Sequence, residues 1–85
     1  MYEVKWTEFS LKQLKKLNKN TARRIIDKVE ATASNPFKFV KKLKGFNLYR
    51  LRVGDYRVIM SIERNKMIVF VLEVGHRKKI YRNYN

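Results

Sequence analysis

The order of the sequence patterns predicts an α+β fold of two layers, in which a helical hairpin packs on an antiparallel sheet. A short strand-forming segment at 2–6 comes first, and two segments with helical periodicity follow it. Three further strand patterns occupy 48–74. The element order is therefore β-α-α-β-β-β, and two helices in this order can pack together on one face of the sheet. With 85 residues, the chain has the length of a single domain over 1–85.

The first half of the chain contributes the first strand and both helices. YEVKW at 2–6 alternates between apolar and polar residues. Thr7 is a suitable N-cap for a helix over 8–18. A second helix follows the NKNT segment and ends before Pro36, because proline biases the preceding residue away from helical backbone. The predicted buried positions of the two helices are Leu11, Leu14, Leu17, Ala22, Ile25, Ile26, Val29 and Ala33.

The second half begins with a basic segment at 35–47, NPFKFVKKLKGFN, which predicts a loop or a partial element. Strands are predicted over 48–53, 56–63 and 66–74. The Gly54-Asp55 pair is typical of a type II′ turn, whereas Arg64-Asn65 is a weaker turn signal. The tail of the chain, GHRKKIYRNYN, is basic and aromatic.

Charge is the most unusual bulk property of the chain. Lys and Arg number 21 against 7 Asp and Glu, which gives a formal net charge of +14. Self-repulsion at such a charge disfavours the compact state, and a polyanionic partner would relieve it. Nucleic acid is the first partner class to expect, an acidic protein the second and an anionic membrane surface the third.

The composition also disfavours several classes of protein. Without cysteine, the chain has no disulfide framework and no thiolate zinc site. The acidic residues are scattered, so neither a metal nor another cofactor is expected. The longest apolar run, 67–72, is far shorter than the roughly 20 residues that span a bilayer, and charges interrupt the N-terminus where a signal peptide would lie. A cytoplasmic protein without a membrane segment is the expectation.

Three arginines lie close together in YRLRVGDYRV at 49–58. If the Gly-Asp turn has two residues, Arg52 lies opposite Arg57, and Arg50 shares their face. The other face then holds the apolar residues Tyr49, Leu51, Val53, Tyr56, Val58 and Met60. Like charges that face each other destabilise a sheet. The arrangement therefore indicates an anion site rather than a contribution to folding.

The face that carries the arginines has three possible interpretations. It can be a plain solvated surface, because arginines are common there. However, Ile59, Phe70 and Leu72 share this face if Glu63 pairs with Lys66, and a solvated face should not hold so much apolar surface. A groove that binds RNA phosphates and bases is the second interpretation. The docking surface of a partner helix is the third.

The segments KLKG, YRLRVGDYRVIMSI and VFVLEVGHRKKIYR, in this order within 41–82, resemble the RelE branch of the RelE/ParE toxins. The resemblance implies the same strand–helix–helix–meander fold. It also implies the toxin of a type II toxin–antitoxin system, which binds the ribosome and cleaves mRNA in the decoding site. An acidic, RelB-like antitoxin that wraps and blocks the toxin is the implied protein partner.

By this resemblance, the catalytic positions of the family fall on Arg50, Arg52, Arg57, Arg77 and Tyr81. The best-known bacterial members have lysines at the first two positions. A lysine can lose its proton when its pKa falls, whereas an arginine essentially cannot. Arg50 and Arg52 are therefore expected to orient the substrate and add to the positive field rather than to act as a base.

Cleavage of RNA by its own 2′-OH needs a base, cations for the charge that builds on the phosphate, and an acid for the leaving 5′-oxygen. Arg57 and Arg77 are predicted to clamp the phosphate, because a guanidinium matches phosphate oxygens in a planar fork. His76 and Tyr81 are the candidates for proton transfer, since imidazole suits acid–base chemistry near neutral pH and nearby cations lower the pKa of a phenol. Either can instead be structural, His76 as an exposed residue and Tyr81 as a packing aromatic. Glu73 is a weaker candidate, predicted to lie on the apolar face and to pair with a lysine.

Lysines are predicted to form an RNA-binding surface around this site. Together they suit the phosphates of ribosomal RNA, although each one alone is better explained as part of a solvated face. The predicted set is Lys12, Lys15, Lys16, Lys19, Lys38, Lys41, Lys42, Lys44, Lys78 and Lys79.

Two other functions remain open. A ParE-like inhibitor of gyrase would bind its target without cleaving RNA, and it would not need Arg57, Arg77 and Tyr81 together. A plain RNA-binding module would bind RNA in a salt-sensitive way without arresting growth. Cleavage of translated mRNA separates both functions from the nuclease.

Overall fold

The computed structural model describes residues 1–84 of the chain. Over these residues the strands are β1 (Glu3–Trp6), β2 (Val40–Lys42), β3 (Tyr49–Val53), β4 (Tyr56–Glu63) and β5 (Ile68–His76). The helices are α1 (Glu8–Lys15), α2 (Lys19–Ala31) and α3 (Arg77–Tyr84), and short 3₁₀ turns cover Thr32–Ser34 and Pro36–Lys38. None of the helices within 1–84 has the length and apolar character needed to cross a membrane.

The strands form one sheet in the order β1-β5-β4-β3-β2. β1 runs parallel to β5, whereas the other neighbouring pairs are antiparallel. The predicted α+β class and the predicted order of its elements are confirmed. The sheet is mixed and larger than the predicted meander, because the basic segment contributes β2 and the first strand adds to β5 in parallel.

Side-chain caps set the starts of the two helices of the hairpin. Thr7 Oγ1 accepts a hydrogen bond from the Ser10 amide at 3.1 Å, as the sequence predicts. Asn18 Oδ1 accepts one from the Thr21 amide at 2.8 Å, so α2 begins inside the NKNT segment. α1 consequently ends at Lys15, before the predicted boundary at 18.

The helical hairpin covers one face of the sheet and builds the main core there. Ile25 and Val29 of α2 are fully buried and pack with aliphatic residues of β3, β4 and β5. Two predicted buried positions are wrong, because Leu11 is 41% exposed and Ile26 is 37% exposed. Successive residues of a helix are rotated by about 100°, so Ile26 turns away from the sheet when Ile25 faces it.

The hairpin of β3 and β4 has the predicted register. Arg52 pairs with Arg57, and Arg50 pairs with Ile59. Gly54 has a φ of 59°, which a type II′ turn requires at its first central residue. The three arginines therefore lie on the face opposite to the helical hairpin, which we call the arginine face. The alternate residues pack in the main core, namely Leu51, Val53, Val58 and Met60.

The hairpin of β4 and β5 departs from the prediction. Glu63 pairs with Ile68 across a loop longer than the expected two-residue turn. A bulge between Ile59 and Met60 then shifts the register and brings Glu73 opposite Ile59. The prediction that Glu73 lies on the apolar face is therefore wrong. Its side chain shares the arginine face and is 9% exposed.

The basic tail folds as α3 and covers part of the arginine face. Ile80 is buried against Ile59 in a second, smaller core. A β-carbon at Gly75 would lie 3.2 Å from Ile80 Cδ1, so glycine at this position lets α3 pack closely on β5. At the end of the helix, Tyr84 Oη donates a 2.6 Å hydrogen bond to Glu73 Oε1. An apolar contact and a partly buried hydrogen bond thus hold the helix against the sheet.

Candidate functional site

A concavity of about 220 Å³ opens on the arginine face of the sheet. Strands β2, β3 and β4 and helix α3 all contribute to its walls. The lining residues are Phe39, Lys41, Arg50, Arg52, Arg57 and Tyr81. The structure thus brings four of the predicted catalytic residues into one place, although they come from three separate elements.

Arg57 is held rigidly at this concavity. Its side chain is only 4% exposed, and its guanidinium donates to the carbonyls of Gly54 at 2.9 Å and Tyr56 at 2.8 Å. A third hydrogen bond, of 3.3 Å, goes to Tyr81 Oη. Burial of a charge is costly unless it is hydrogen-bonded, and the carbonyls at the β3–β4 turn supply that compensation. The turn therefore sets the position of the charge as well as the register of the strands.

Arg50 and Arg52 approach the concavity from β3. Arg50 is half-buried, and its Cζ lies 5.5 Å from the centroid of the Tyr81 ring. Arg52 is exposed and lies directly opposite Arg57 in the sheet. Lys41 of β2 pairs with Arg50 and adds a further cation to the same wall. The site is therefore strongly positive and suited to an anion.

Tyr81 connects α3 to the arginines, and these arginines lower the pKa of its phenol. The hydrogen bond from Arg57 lowers the pKa of the Tyr81 phenol below its ordinary value of 10.0. Burial opposes this shift, while the charges of Arg57, Arg50 and Arg77 add to the lowering. The phenolate form is thus more accessible at this site than for a tyrosine in water.

Arg77 lies at the start of α3, and its side chain is exposed. Its amide donates a 2.8 Å hydrogen bond to the Asp55 carbonyl, which ties the helix to the β3–β4 turn. The side chain does not line the concavity, but its charge reaches Tyr81, one helical turn further along α3. Arg77 therefore contributes to the positive field of the site.

His76 also lies outside the concavity, and its side chain is held away from the arginines. Its Nδ1 accepts a 3.2 Å hydrogen bond from the Lys78 amide in the first turn of α3. The ring makes an edge-to-face contact with Tyr56, with 5.7 Å between centroids, and Tyr56 packs against the main core on the other face. The imidazole thus caps α3 and does not face Arg57.

The predicted RNA-binding lysines divide between the two faces of the sheet. Lys41 lines the concavity, while Lys42 and Lys44 line an adjoining groove of about 480 Å³. Lys38 lies near this region, and exposed lysines of α3 lie on the same side of the sheet, namely Lys78 and Lys79. The other predicted lysines belong to the helical hairpin on the opposite side, namely Lys12, Lys15, Lys16 and Lys19.

Phe39 is a lining residue that the sequence reasoning missed. Its side chain is 46% exposed, and it lies between the 3₁₀ turn Pro36–Lys38 and β2. A signal was present in the sequence, because an aromatic residue among lysines is typical of surfaces that bind single-stranded nucleic acid.

In the part of the chain that the structure describes, no three His, Asp or Glu side chains gather as a metal-binding group.

Comparison with known proteins identifies the family. A family model described as the ParE toxin of the type II toxin-antitoxin system, parDE, matches residues 4–81. The chain belongs to the RelE/ParE toxin family. A toxin named RelE1, from Methanocaldococcus jannaschii, is 31% identical over 86% of this chain and 87% of its own length. The toxin is thus part of a type II toxin–antitoxin system.

Solved RelE structures share the fold of this toxin. The archaeal RelE–RelB complex from Pyrococcus horikoshii OT3 contains a chain that is 35% identical, with a TM-score of 0.77. The match covers 89% of this toxin and 94% of that chain. A chain of the intact Escherichia coli RelBE complex is 27% identical, with a TM-score of 0.75 over 89% of this toxin and 96% of that chain. The toxin is therefore RelE-like in sequence as well as in fold.

Proposed function

We propose that this toxin is a ribosome-dependent mRNA endonuclease that cleaves by attack of the RNA 2′-OH on the adjacent phosphate. The observation that carries the proposal is the contact of Tyr81 with Arg57 and Arg50 in one concavity. Two guanidinium groups can bind a phosphate there, while a phenol of lowered pKa stands beside them. These groups supply the base and the cations that the reaction needs, and all of them belong to the chain itself.

Arg57 and Arg77 are the proposed phosphate clamp. Arg57 is positioned before substrate arrives, because its hydrogen bonds to Gly54 and Tyr56 fix its guanidinium. Its remaining N–H groups are available to phosphate oxygens. Fixed cations of this kind stabilise the charge that develops in the transition state without reorganising during the reaction. Arg50 and Arg52 orient the RNA around the same phosphate.

Tyr81 is the proposed group for proton transfer, and His76 is not, because His76 faces away from Arg57. As phenolate, Tyr81 takes the proton of the 2′-OH when the 2′-oxygen attacks phosphorus. The bond from phosphorus to the 5′-oxygen then breaks, and the departing 5′-oxygen takes a proton from water. The products are a 2′,3′-cyclic phosphate and a 5′-hydroxyl. Because the pKa of Tyr81 is lowered, the cleavage rate should rise with pH and level off below pH 10.

An acidic, RelB-like antitoxin is the proposed protein partner, and the ribosome with mRNA in its decoding site is the proposed target. Related RelE chains have been solved in complexes with RelB, and the net charge of +14 suits an acidic protein and ribosomal RNA alike. An acidic antitoxin that covers the arginine face would neutralise the site and exclude RNA from it.

Tyr81→Phe tests this proposal in a purified translation system. The variant keeps the ring but loses the hydroxyl, so single-turnover cleavage of ribosome-bound mRNA should fall by roughly 10²–10⁴, the usual contribution of a general base. Tyr49→Phe, which changes a tyrosine of β3 on the other face, should cleave like the unmodified toxin. If the unmodified toxin leaves translated mRNA intact, the nuclease proposal is wrong.

A ParE-like inhibitor that does not cleave RNA is the second candidate, because the matching family model is that of ParE. The same assay separates the two functions. Growth arrest on expression together with intact translated mRNA would favour the inhibitor. Salt-sensitive RNA binding without growth arrest would favour a plain RNA-binding module.

A further inference from the structure

Phe39 is an exposed aromatic residue that the fold does not require. It is 46% exposed, and within residues 1–84 it belongs to neither the main core nor the smaller core under α3. A single exposed apolar side chain is ordinary. This one, however, lines the concavity that also holds Arg50, Arg57 and Tyr81.

The backbone holds Phe39 in a defined place beside the arginines. The residue ends the 3₁₀ turn Pro36–Lys38 and directly precedes β2. Two residues later, Lys41 pairs with Arg50 in the sheet. The ring is therefore anchored between two ordered elements rather than in a free loop, and its approach to the site is set by strand pairing.

Cations flank the Phe39 ring. Lys38 Nζ lies 5.5 Å and Lys28 Nζ lies 5.9 Å from its centroid, in addition to the arginines of the concavity. Cation–π attraction at exposed positions is weak, so these contacts do not account for the exposed ring. A planar ring surrounded by cations is instead what binds single-stranded RNA, because the base stacks on the ring while the neighbouring phosphates meet the cations.

We propose that Phe39 is a base-binding platform, on which a nucleotide next to the scissile phosphate stacks its base. The inference rests on the proposed nuclease function and adds a contact that positions the substrate. Arg57 and Arg77 hold the phosphate and Arg50 orients the RNA, while the Phe39 ring holds the neighbouring base, so that the 2′-OH faces Tyr81. Stacking accepts any base, since every base has a π-face, and it therefore secures the RNA without demanding one nucleotide.

Substitutions that keep or remove the flat ring test the proposal. Single-turnover cleavage of ribosome-bound mRNA is measured for Phe39→Ala, Phe39→Leu and Phe39→Trp. The alanine and leucine variants should lose roughly 5- to 100-fold in cleavage efficiency, and the tryptophan variant should keep most of it, because stacking needs a planar ring. Phe9→Ala is the matched control, since Phe9 is 58% exposed on α1 at the other side of the sheet. Equal unfolding midpoints for all variants would show that folding is unaffected.

Abasic messages identify the stacked base. Three mRNAs, each lacking one base of the codon in the decoding site, are cleaved by the unmodified toxin and by Phe39→Ala. On one of these messages the two proteins should cleave equally, because the base that Phe39 binds is already missing. A penalty of the same size on all three messages, or none on the intact message, would overturn the platform.

Binding of a short single-stranded RNA, with and without internal bases, provides a second measurement that needs no cleavage. Weaker binding of intact RNA by Phe39→Ala, together with equal binding of the abasic RNA, supports the platform even if the nuclease proposal fails. Equal binding of intact RNA by both proteins counts against the platform. Cleavage by the unmodified toxin decides the nuclease proposal separately.

Discussion

The two faces of the sheet are formed by the same strands, but their side chains differ in character and in role. On the side of the helical hairpin, alternate residues of β3 and β4 are apolar, and Leu51, Val58 and Met60 among them are almost fully buried. On the arginine face, the intervening residues include Arg50, Arg52 and Arg57, and the short helix α3 covers part of this face. The first face carries the stability of the fold, while the second carries the proposed chemistry.

The arginine face shows how a small domain can keep a buried cation. Arg57 is as enclosed as a core residue, yet its partners are carbonyls at the end of its own hairpin and a tyrosine from α3. The main core on the other face holds the strands in place regardless of these contacts. Substitutions in the main core should therefore act on folding, and substitutions of exposed site residues on the arginine face should act on cleavage.

The largest expected effect is on stability and comes from the helical-hairpin side. Ile25→Ala removes a fully buried side chain from the main core and should lower the free energy of unfolding by about 2–5 kcal/mol. Ile26→Ala is the matched control. Ile26 is 37% exposed, so this substitution should change the free energy of unfolding by less than about 0.5 kcal/mol. Urea unfolding measures both. Cleavage per folded molecule should stay unchanged, and a large loss there would contradict the separation of the two faces.

Arg77→Ala should have the largest effect on cleavage among exposed residues. Loss of one cation that stabilises charge on the scissile phosphate should slow cleavage by roughly 10²–10³ at saturating toxin. Its side chain is exposed, so the unfolding midpoint should not move. Lys79→Ala, on the same helix, should cleave nearly normally. A normal cleavage rate for Arg77→Ala once bound to the ribosome would place the reaction elsewhere.

Tyr84→Phe tests how α3 is attached to the arginine face. Burial and the hydrogen bond to Glu73 raise the pKa of Tyr84 to about 12, so the fold favours the protonated phenol. This contribution to stability is complete below the ordinary value of 10.0 and is lost as the pH rises towards 12. The variant should be less stable by about 1–3 kcal/mol at neutral pH, since the buried Glu73 carboxylate loses its donor.

The difference in unfolding free energy between this variant and the unmodified toxin should then shrink above pH 10. Unfolding curves at several alkaline pH values give that difference directly. A difference that is constant from pH 8 to pH 12 would show that the hydrogen bond does not anchor the helix.

The smallest expected effect belongs to Lys12→Ala. Lys12 is exposed on α1, across the sheet from the concavity, so single-turnover cleavage at saturation should not change. If the helical hairpin also contacts ribosomal RNA, affinity should fall, and the slope of log affinity against log salt should flatten by about one unit. Binding titrations at several salt concentrations measure this slope. An unchanged slope would leave only the arginine face and its surroundings as the RNA-binding surface.

Much of the fold follows from local patterns, whereas the site follows from them only in part. The Gly-Asp turn and the alternation of side chains predict the pairing of Arg52 with Arg57 correctly. The bulge that moves Glu73 to the arginine face has no local signal, since it depends on how β5 fits against β4. Phe39 was missed although its segment combines aromatic residues with lysines, because only the folded chain brings this residue to the concavity.

Three arginines share one face of a hairpin as a direct consequence of the local sequence, because a two-residue turn and a period of two leave no other arrangement. The side chains that meet these arginines depend instead on how the chain packs. Tyr81 reaches Arg57 because Ile80 packs over Gly75 and against Ile59 while Tyr84 binds Glu73, and these contacts place α3 across β5 and β4. For the same reason His76 turns away, since its ring is occupied by the start of α3 and by Tyr56. Turn geometry acts over a few residues and can be read from them, whereas the docking of a helix depends on packing that no short segment contains.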